Sequence, residues 1–300
     1  MMRQDFEFEG VRGRVRFDES MSQHTSWKVG GPARYFFEPQ DEADLGVFLQ
    51  QLDVAVPVLW LGLGSNLLIR DAGFNGVVIA AHRGLRQLGM ADATQIFAEA
   101  GVSCARLARF AGQHGVVGAE FMAGIPGTIG GALAMNAGAF GAETWNRVQR
   151  VRLIDRRGDV REEDPTAFEI SYRSVSIPAE QWFTAAYFSF SPRSDAHPGA
   201  DVRSLLEKRS QTQPIGQSSA GSVFKNPPGD YAARLIEEAG LKGKRHGGAC
   251  VSEQHANFII NDRSATAKDI EELIELIRDE VERRFEVLLD PEVRFVGERS

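Results

Sequence analysis

Residues 216–227, Gly216-Gln-Ser-Ser-Ala-Gly-Ser-Val-Phe-Lys-Asn-Pro227, offer a hydroxyl, an ammonium and a carboxamide from one short loop of small residues. Ser222 stands between Gly221 and Val223, Lys225 and Asn226 follow, and Pro227-Pro228 stop the segment before a helix begins. Such a loop lets backbone come close to a ligand; a tight turn with a capping serine uses the same residues. No His–carboxylate–serine order accompanies it, and His24, His82, His114, His197, His246 and His255 form no pair at metal-ligand spacing. Neither a nucleophilic Ser222 nor a metal centre is therefore indicated. A serine without a base can still deliver a proton to something strongly basic formed beside it, such as a carbanion, and that chemistry needs an electron source.

Two further polar groupings bear on that source and its substrate. In Ile170-Ser-Tyr-Arg-Ser174 an aromatic hydroxyl adjoins a guanidinium. The fork of Arg173 suits a carboxylate or phosphate, whereas a solvent-facing arginine does nothing. Glu292 and Arg294 share one face of a strand by its two-residue period, and a cross-strand ion pair accounts for them as well.

Two glycine runs stand apart in the chain, Gly62-Leu-Gly-Ser-Asn66 and Gly124-Ile-Pro-Gly-Thr-Ile-Gly-Gly-Ala-Leu-Ala-Met-Asn-Ala-Gly-Ala-Phe-Gly141. Neither closes with Gly-Lys-Ser/Thr, and the first is not Gly-x-Gly-x-x-Gly opening a helix, which disfavours P-loop and Rossmann readings. Consecutive small residues can present N–H groups as a nest for a pyrophosphate. Two nests suit a long diphosphate ligand lying between two lobes; close backbone packing at tight turns is the plainer account of glycine content alone.

The elements that must position these groups alternate strand and helix. Residues 33–38 read as a strand, and Asp41 opens a helix to about Leu52. Apolar runs at 56–61, 67–69 and 76–80 read as strands around the first glycine loop. Ser103 caps a helix ending near Gly115. Residues 148–163 read as a hairpin around Arg157-Gly-Asp159, and 183–190 as another strand. The polar Ser191–Gly199 stretch is the best linker, followed by a charged helix from about Asp201 to Arg209. A helix is expected from Asp230 to Ala239 with Asp230 as its cap, and a strand at 257–261. The last helix starts at a Thr266/Asp269 capping box, with Ile270, Leu273, Ile274, Ile277, Val281 and Leu288 on its core face, before a strand at 292–296.

Three hundred residues, 43% hydrophobic and 25% charged, can bury a sizeable core in two domains. A net charge of −7 provides no basic footprint for nucleic acid. Cys104 and Cys250, the only cysteines, fit packing residues in a reducing compartment. The beginning, Met1-Met-Arg-Gln-Asp, lacks an apolar run, and no stretch has the apolar length of a membrane span. The expectation is a cytoplasmic protein that does not use a membrane or nucleic-acid partner.

Seven motifs in order resemble the UDP-N-acetylenolpyruvoylglucosamine reductases, the flavoenzymes that make UDP-N-acetylmuramate for peptidoglycan. They are Thr25-Ser-Trp-Lys-Val-Gly-Gly-Pro-Ala33, Leu61-Gly-Leu-Gly-Ser-Asn-Leu-Leu-Ile-Arg70, the run 124–141, Tyr172-Arg173, Ala220-Gly-Ser-Val-Phe-Lys-Asn-Pro227, His255-Ala-Asn-Phe-Ile-Ile-Asn261 and Pro291-Glu-Val-Arg-Phe295. The match spans nearly the whole chain. It implies an α+β fold: a vanillyl-alcohol-oxidase/PCMH-type two-lobed FAD-binding domain over residues 1–200, with lobes at roughly 20–85 and 86–195, and a smaller α+β substrate-binding domain over 201–300.

The resemblance further implies that Gly62, Gly64, Ser65, Asn66, Gly127, Thr128, Ile129, Gly130, Gly131 and Asn136 hold FAD, largely through backbone donors. Arg173, Ser222 and Glu292 fall on the family's catalytic positions, and Tyr172, Lys225, Asn226, His255 and Arg294 at or near its substrate contacts. NADPH is the implied reductant, the enolpyruvyl sugar nucleotide the acceptor, and a monomer the default. Ser218 stands where the family usually has Pro, and Phe140 where Tyr is frequent. The short interval from Arg173 to Ser222 resembles the family's shorter subtype, which leaves open what clamps the UDP end. Two other readings stay open. Another FAD oxidase or dehydrogenase of this fold often tethers flavin through a His or Cys near the first loop, and 62–70 contains neither. The second is a redox-inactive sugar-nucleotide-binding protein.

Overall fold

A computed structural model describes residues 8–194 and 202–299. Residues 1–7, 195–201 and 300, including His197 and part of the expected linker, lie outside the described residues.

One sheet has four strands in the order Arg14–Ser20, Pro32–Glu38, Phe74–Ala80, Val58–Leu61. The last two run parallel, with Val58 opposite Val77 and Leu61 opposite Ala80. Parallel strands are covered on both faces, which is why Val77–Ala80 is an unbroken apolar run, buried throughout. A second, antiparallel sheet has the order Val160–Glu163, Val148–Asp155, Gln181–Ser189, Gln95–Glu99, Leu88–Met90. The expected 148–163 hairpin forms its edge, and Asp155 Oδ1 accepts the N–H groups of Arg157 and Asp159 to close the turn.

The helix starts follow the side chains that cap them. Asp41 accepts from Asp44 N–H before Glu42–Gln51, and Ser103 accepts from Arg106 N–H before Cys104–Gln113. The capping box of Thr266 and Asp269 opens Ala267–Phe285. Ile270, Leu273, Ile274, Ile277 and Val281 of that helix are fully buried.

The chain divides into two compact units: Met1–Arg16, Tyr35–Gly62 and Gly76–Gly199 in the first, and Phe17–Arg34, Leu63–Asn75 and Ala200–Ser300 in the second. In the first, Phe37, Leu45, Phe48, Val77, Ile79 and Ile154 share one core. In the second, Trp27, Leu68, Val223, Phe224, Leu235, Ile259 and the last helix share another. The division differs from a single cut near residue 200 for identifiable reasons. Leu67–Ile69 pairs in parallel with Arg294–Val296. Arg70 forks onto Glu271 with both bonds at 2.9 Å. Trp27 Nε1 donates to Ile259 O at 2.7 Å. Asp71 adds a second cap to the last helix, accepting Ala267 N–H at 3.0 Å and Lys268 N–H at 2.9 Å. Asp71→Ala strands both donors and should cost about 1–2 kcal/mol in chemical denaturation, whereas a change at exposed Glu298 should cost nearly nothing.

Two details correct the sequence reading. The helix expected from Asp230 runs Ala232–Glu238, and Asn226 Oδ1, not Asp230, accepts Ala232 N–H at 3.1 Å. Asp230 instead pairs with Arg234, which holds its carboxyl low, at about 2. Leu288 lies past the end of the last helix and is exposed, because Glu286 at φ 58 turns the chain out of helical geometry. Among the described residues no helix is long and apolar enough to cross a membrane, and no His, Cys, Asp and Glu side chains group to hold a metal ion. Both cysteines are free and buried, and burial pushes the Cys104 thiol up to about 12, leaving it an inert packing group.

Candidate active site

The first glycine loop follows strand Val58–Leu61. Among the described residues, none of the N–H groups of Gly62 through Asn66 donates within the chain. Gly64 has φ +64, and a Cβ on it would fall 2.1 Å from His24 O; its own carbonyl accepts Ser26 N–H at 3.1 Å. Only glycine fits there, and the result is a row of uncommitted donors held rigidly from below. Uncommitted N–H groups in a row are what a nest for a diphosphate requires. In the first unit, a Cβ on Gly62 would fall 2.6 Å from Thr128 Oγ1, so Gly62 packs closely against Thr128.

The second loop is built differently from expectation. Ile129 N–H and Gly130 N–H bind Val102 O and Ala100 O, each at 2.8 Å, and Gly127 N–H binds Ile125 O at 2.9 Å. These donors dock the helix Ile129–Met135, and Thr128 Oγ1 accepts Gly131 N–H at its start. The N–H groups of Gly127, Ile129 and Gly130 are therefore committed within the protein, and Gly130 packs closely against Ala100, where a Cβ would fall 3.0 Å from the Ala100 Cβ.

Asn136 ends that helix in the left-handed conformation, φ 41, and is buried. Its Nδ2 donates to Glu143 Oε2 at 2.9 Å and Ser171 O at 3.1 Å, and its Oδ1 accepts Trp145 N–H at 3.2 Å. Its amide is thus spent on the protein: it carries the hairpin Ile170–Val175, at whose tip Tyr172 and Arg173 sit. Arg173, itself at φ 56, donates to Asn136 O at 3.3 Å and Gly138 O at 3.2 Å, and its guanidinium lies 5.0 Å from the Tyr172 ring centroid. The planar cation is held by two carbonyls and an aromatic face.

In the second unit Ser222, Glu292 and Asn66 are linked through backbone. Glu292 N–H donates to Val223 O at 2.8 Å, one peptide from Ser222, and Asn66 Nδ2 donates to Glu292 O at 3.0 Å. Arg294 N–H returns to Asn66 O at 3.0 Å, and the exposed Arg294 side chain begins strand Arg294–Val296. Asn66 therefore joins the first glycine loop to the Glu292 segment. Ser218, in place of the usual proline, has its carbonyl pinned by Asn261 N–H at 2.9 Å. Phe140, at φ 54 and exposed, lies against Gly124.

Lys225 Nζ reaches Asp290 Oδ2 at 2.7 Å, and Asn226 spends its Oδ1 on the helix cap. His255 is half-buried, with Nδ1 accepting Asn257 N–H at 3.3 Å and its ring edge against Phe258. Desolvation pulls its pKa below the usual imidazole value, so it stands neutral at pH 7 with the proton on Nε2. Asn257, which the sequence reading left without a role, is buried and binds both backbone groups of Phe224. The available signal was an amide side chain between Ala256 and Phe258 just ahead of strand Ile259–Asn261, where burial demands a full set of partners.

Residues 33–163 match the FAD binding domain family, and residues 213–296 match the UDP-N-acetylenolpyruvoylglucosamine reductase C-terminal domain. With the open first nest, the former match makes this an FAD-dependent oxidoreductase with an α+β fold, as expected. Proteins named UDP-N-acetylenolpyruvoylglucosamine reductase are 55% identical over 286 residues in Alkalilimnicola ehrlichii, covering 95% of this chain and 96% of the relative. In Methylococcus capsulatus the relative is 51% identical over 288 residues, covering 96% and 94%. The crystal structure of the Thermus caldophilus reductase is 29% identical, with a TM-score of 0.77, covering 95% of this chain and 99% of that one. The chain belongs to the UDP-N-acetylenolpyruvoylglucosamine reductase family.

Proposed function

We propose that this chain reduces the enolpyruvyl ether of UDP-N-acetylglucosamine to UDP-N-acetylmuramate at the expense of NADPH, as a cytoplasmic monomer supplying peptidoglycan precursors. Residues 1–200 would serve chiefly the cofactor and 201–300 the sugar nucleotide. Bound FAD would supply hydride transfer from NADPH to the methylene carbon of the enolpyruvyl group. The N–H groups of Gly62 to Asn66 would hold the diphosphate, with Gly127, Thr128, Gly130 and Gly131 admitting the chain of the cofactor beside them.

As the methylene carbon gains hydride, the electron pair of its double bond moves toward the adjacent carbon and carboxylate. Arg173 would pair with that carboxylate, with Glu292 oriented or protonated nearby, and Ser222 Oγ–H would protonate the carbon, its own proton then replaced from solvent. Tyr172, Asn226, neutral His255 and Arg294 would contact the substrate. Lys225 would exchange Asp290 for a substrate phosphate, an easy exchange because Asp290 is 68% exposed and such surface pairs are worth about 0–1 kcal/mol.

The observation that supports this most is the hydrogen-bonded path from Asn66 through Glu292 to the peptide beside Ser222, which ties the nest to both assigned groups. Proton NMR of the product tests it: the vinyl signals of the substrate should give way to a methyl doublet, and an unchanged vinyl pattern with consumption of NADPH would refute the reading. The nest makes its own prediction. Gly64→Ala imposes left-handed strain of about 1–2 kcal/mol besides the clash with His24 O, so FAD retention on dialysis should weaken by about tenfold or more, read as flavin absorbance per chain.

A further inference from the structure

Both groups assigned to the C-terminal unit hang on Val223: Ser222 is its covalent neighbour, and Glu292 N–H donates to its carbonyl at 2.8 Å. Val223 and the residue after it are in turn held by one residue. Asn257 O accepts Val223 N–H at 2.9 Å, Asn257 Oδ1 accepts Phe224 N–H at 2.9 Å, and Asn257 Nδ2 donates to Phe224 O at 2.8 Å. Bonding to both a donor and an acceptor also fixes which way the amide faces.

On the other side of Ser222, Ala220 is buried in the core and Ser218 O accepts Asn261 N–H at 2.9 Å, and Gly221 is the joint between that anchor and the serine. Gly221 has φ +76, and a Cβ there would meet nothing within 4 Å. With Gly221 as a joint on one side, the clamp that adjoins Ser222 directly on the C-terminal side bears on where the hydroxyl stands. Asn257 is 3% exposed, with Ala256 and Phe258 buried on either side, so water cannot replace its bonds. Aspartate keeps the acceptor but turns a charge on the Phe224 carbonyl, and alanine leaves both Phe224 groups without a partner.

We propose that Asn257 is a positioning residue for proton delivery: its carboxamide holds the Val223–Phe224 backbone so that Ser222 Oγ and Glu292 keep register with each other. This rests on the reading of Ser222 as proton donor.

The test compares four FAD-loaded proteins: the parent, Asn257→Ala, Ser222→Ala and the double variant. Each is reduced with NADPH and then reoxidised by the enolpyruvyl sugar nucleotide in an anaerobic stopped-flow cell. Asn257→Ala should reduce normally but reoxidise about 10–100-fold more slowly, the cost of a misplacement near 1 Å. In the Ser222→Ala background it should add little, because residues acting as a unit are not additive. Equal losses in both backgrounds would overturn the positioning role alone. A Ser222→Ala protein that reoxidises at the parent's rate would overturn the Ser222 reading and the proposal with it. Amide hydrogen exchange supplies a readout apart from turnover: in Asn257→Ala the Val223 and Phe224 amides should exchange faster while the last helix stays protected. Global loss of protection would count against a local clamp. Should the alanine variant not fold, Asn257→Asp keeps one of the two side-chain bonds and should show the same background dependence.

Discussion

A Ser222→Ala enzyme should take electrons from NADPH at the parent's rate and return them to the enolpyruvyl sugar nucleotide about 10²–10⁴-fold more slowly, the span a positioned proton donor supplies. The asymmetry follows from the role proposed for the hydroxyl. No proton needs to be delivered to carbon while NADPH is oxidised, whereas reduction of the enolpyruvyl double bond leaves a basic carbon that must be protonated before the product can form. Among the described residues no histidine hydrogen-bonds Ser222, so on the proposed reading loss of the hydroxyl removes a donor and not a nucleophile. Its backbone is held by Val223 and Phe224 through Asn257 and by Glu292, bonds that the substitution does not touch. Half-reaction stopped-flow separates the two steps directly; equal slowing of both would mean that the substitution damaged the site at large.

Arg173→Lys should lower kcat for the sugar nucleotide by about 10²–10³-fold while the charge is formally kept, a loss like that of one oxyanion donor. Arg173 holds its plane by donating to Asn136 O and Gly138 O and lying over Tyr172. An ammonium can satisfy one carbonyl, but it cannot keep that plane and still offer a fork to a carboxylate. The hairpin is anchored by Asn136 Nδ2 on Ser171 O, so its fold survives the change and the melting temperature should move little. Steady-state kinetics beside a melting curve checks both parts. A variant with parent kcat would remove Arg173 from carboxylate stabilisation.

Local signals in the sequence carried well to structure where the partner is near in the chain. Asp41, Ser103 and Thr266 each cap the helix they announce, and the 148–163 hairpin pairs as its alternation implies. Asp230 misled because Asn226, just outside the helix, competes for the same N–H and wins it. What could not be read was long-range pairing. Arg70 and Glu271 lie 201 residues apart, and Trp27 and Ile259 232 apart. Those bonds move Phe17–Arg34 and Leu63–Asn75 into the unit of the C-terminal third. The two glycine runs look alike in composition, yet among the described residues the first leaves its N–H groups open while the second spends Ile129 and Gly130 on the Val102 and Ala100 carbonyls, in the turn after strand Gln95–Glu99. Composition reports small size; only tertiary pairing says which donors remain. The identities of Ser222, Arg173 and Glu292 came through resemblance, whereas the support beneath them, Asn257 and Asn136, is a matter of three-dimensional bonding.

Whether a single flavin serves NADPH and then the enolpyruvyl sugar nucleotide is tested most directly by an anaerobic spectral titration of the purified protein. The visible flavin band, near ~450 nm for an oxidised flavin cofactor, should bleach on addition of NADPH, stay bleached with UDP-N-acetylglucosamine, and return stoichiometrically when the enolpyruvyl derivative is added. A band that bleaches but does not return with that derivative would contradict the assigned acceptor.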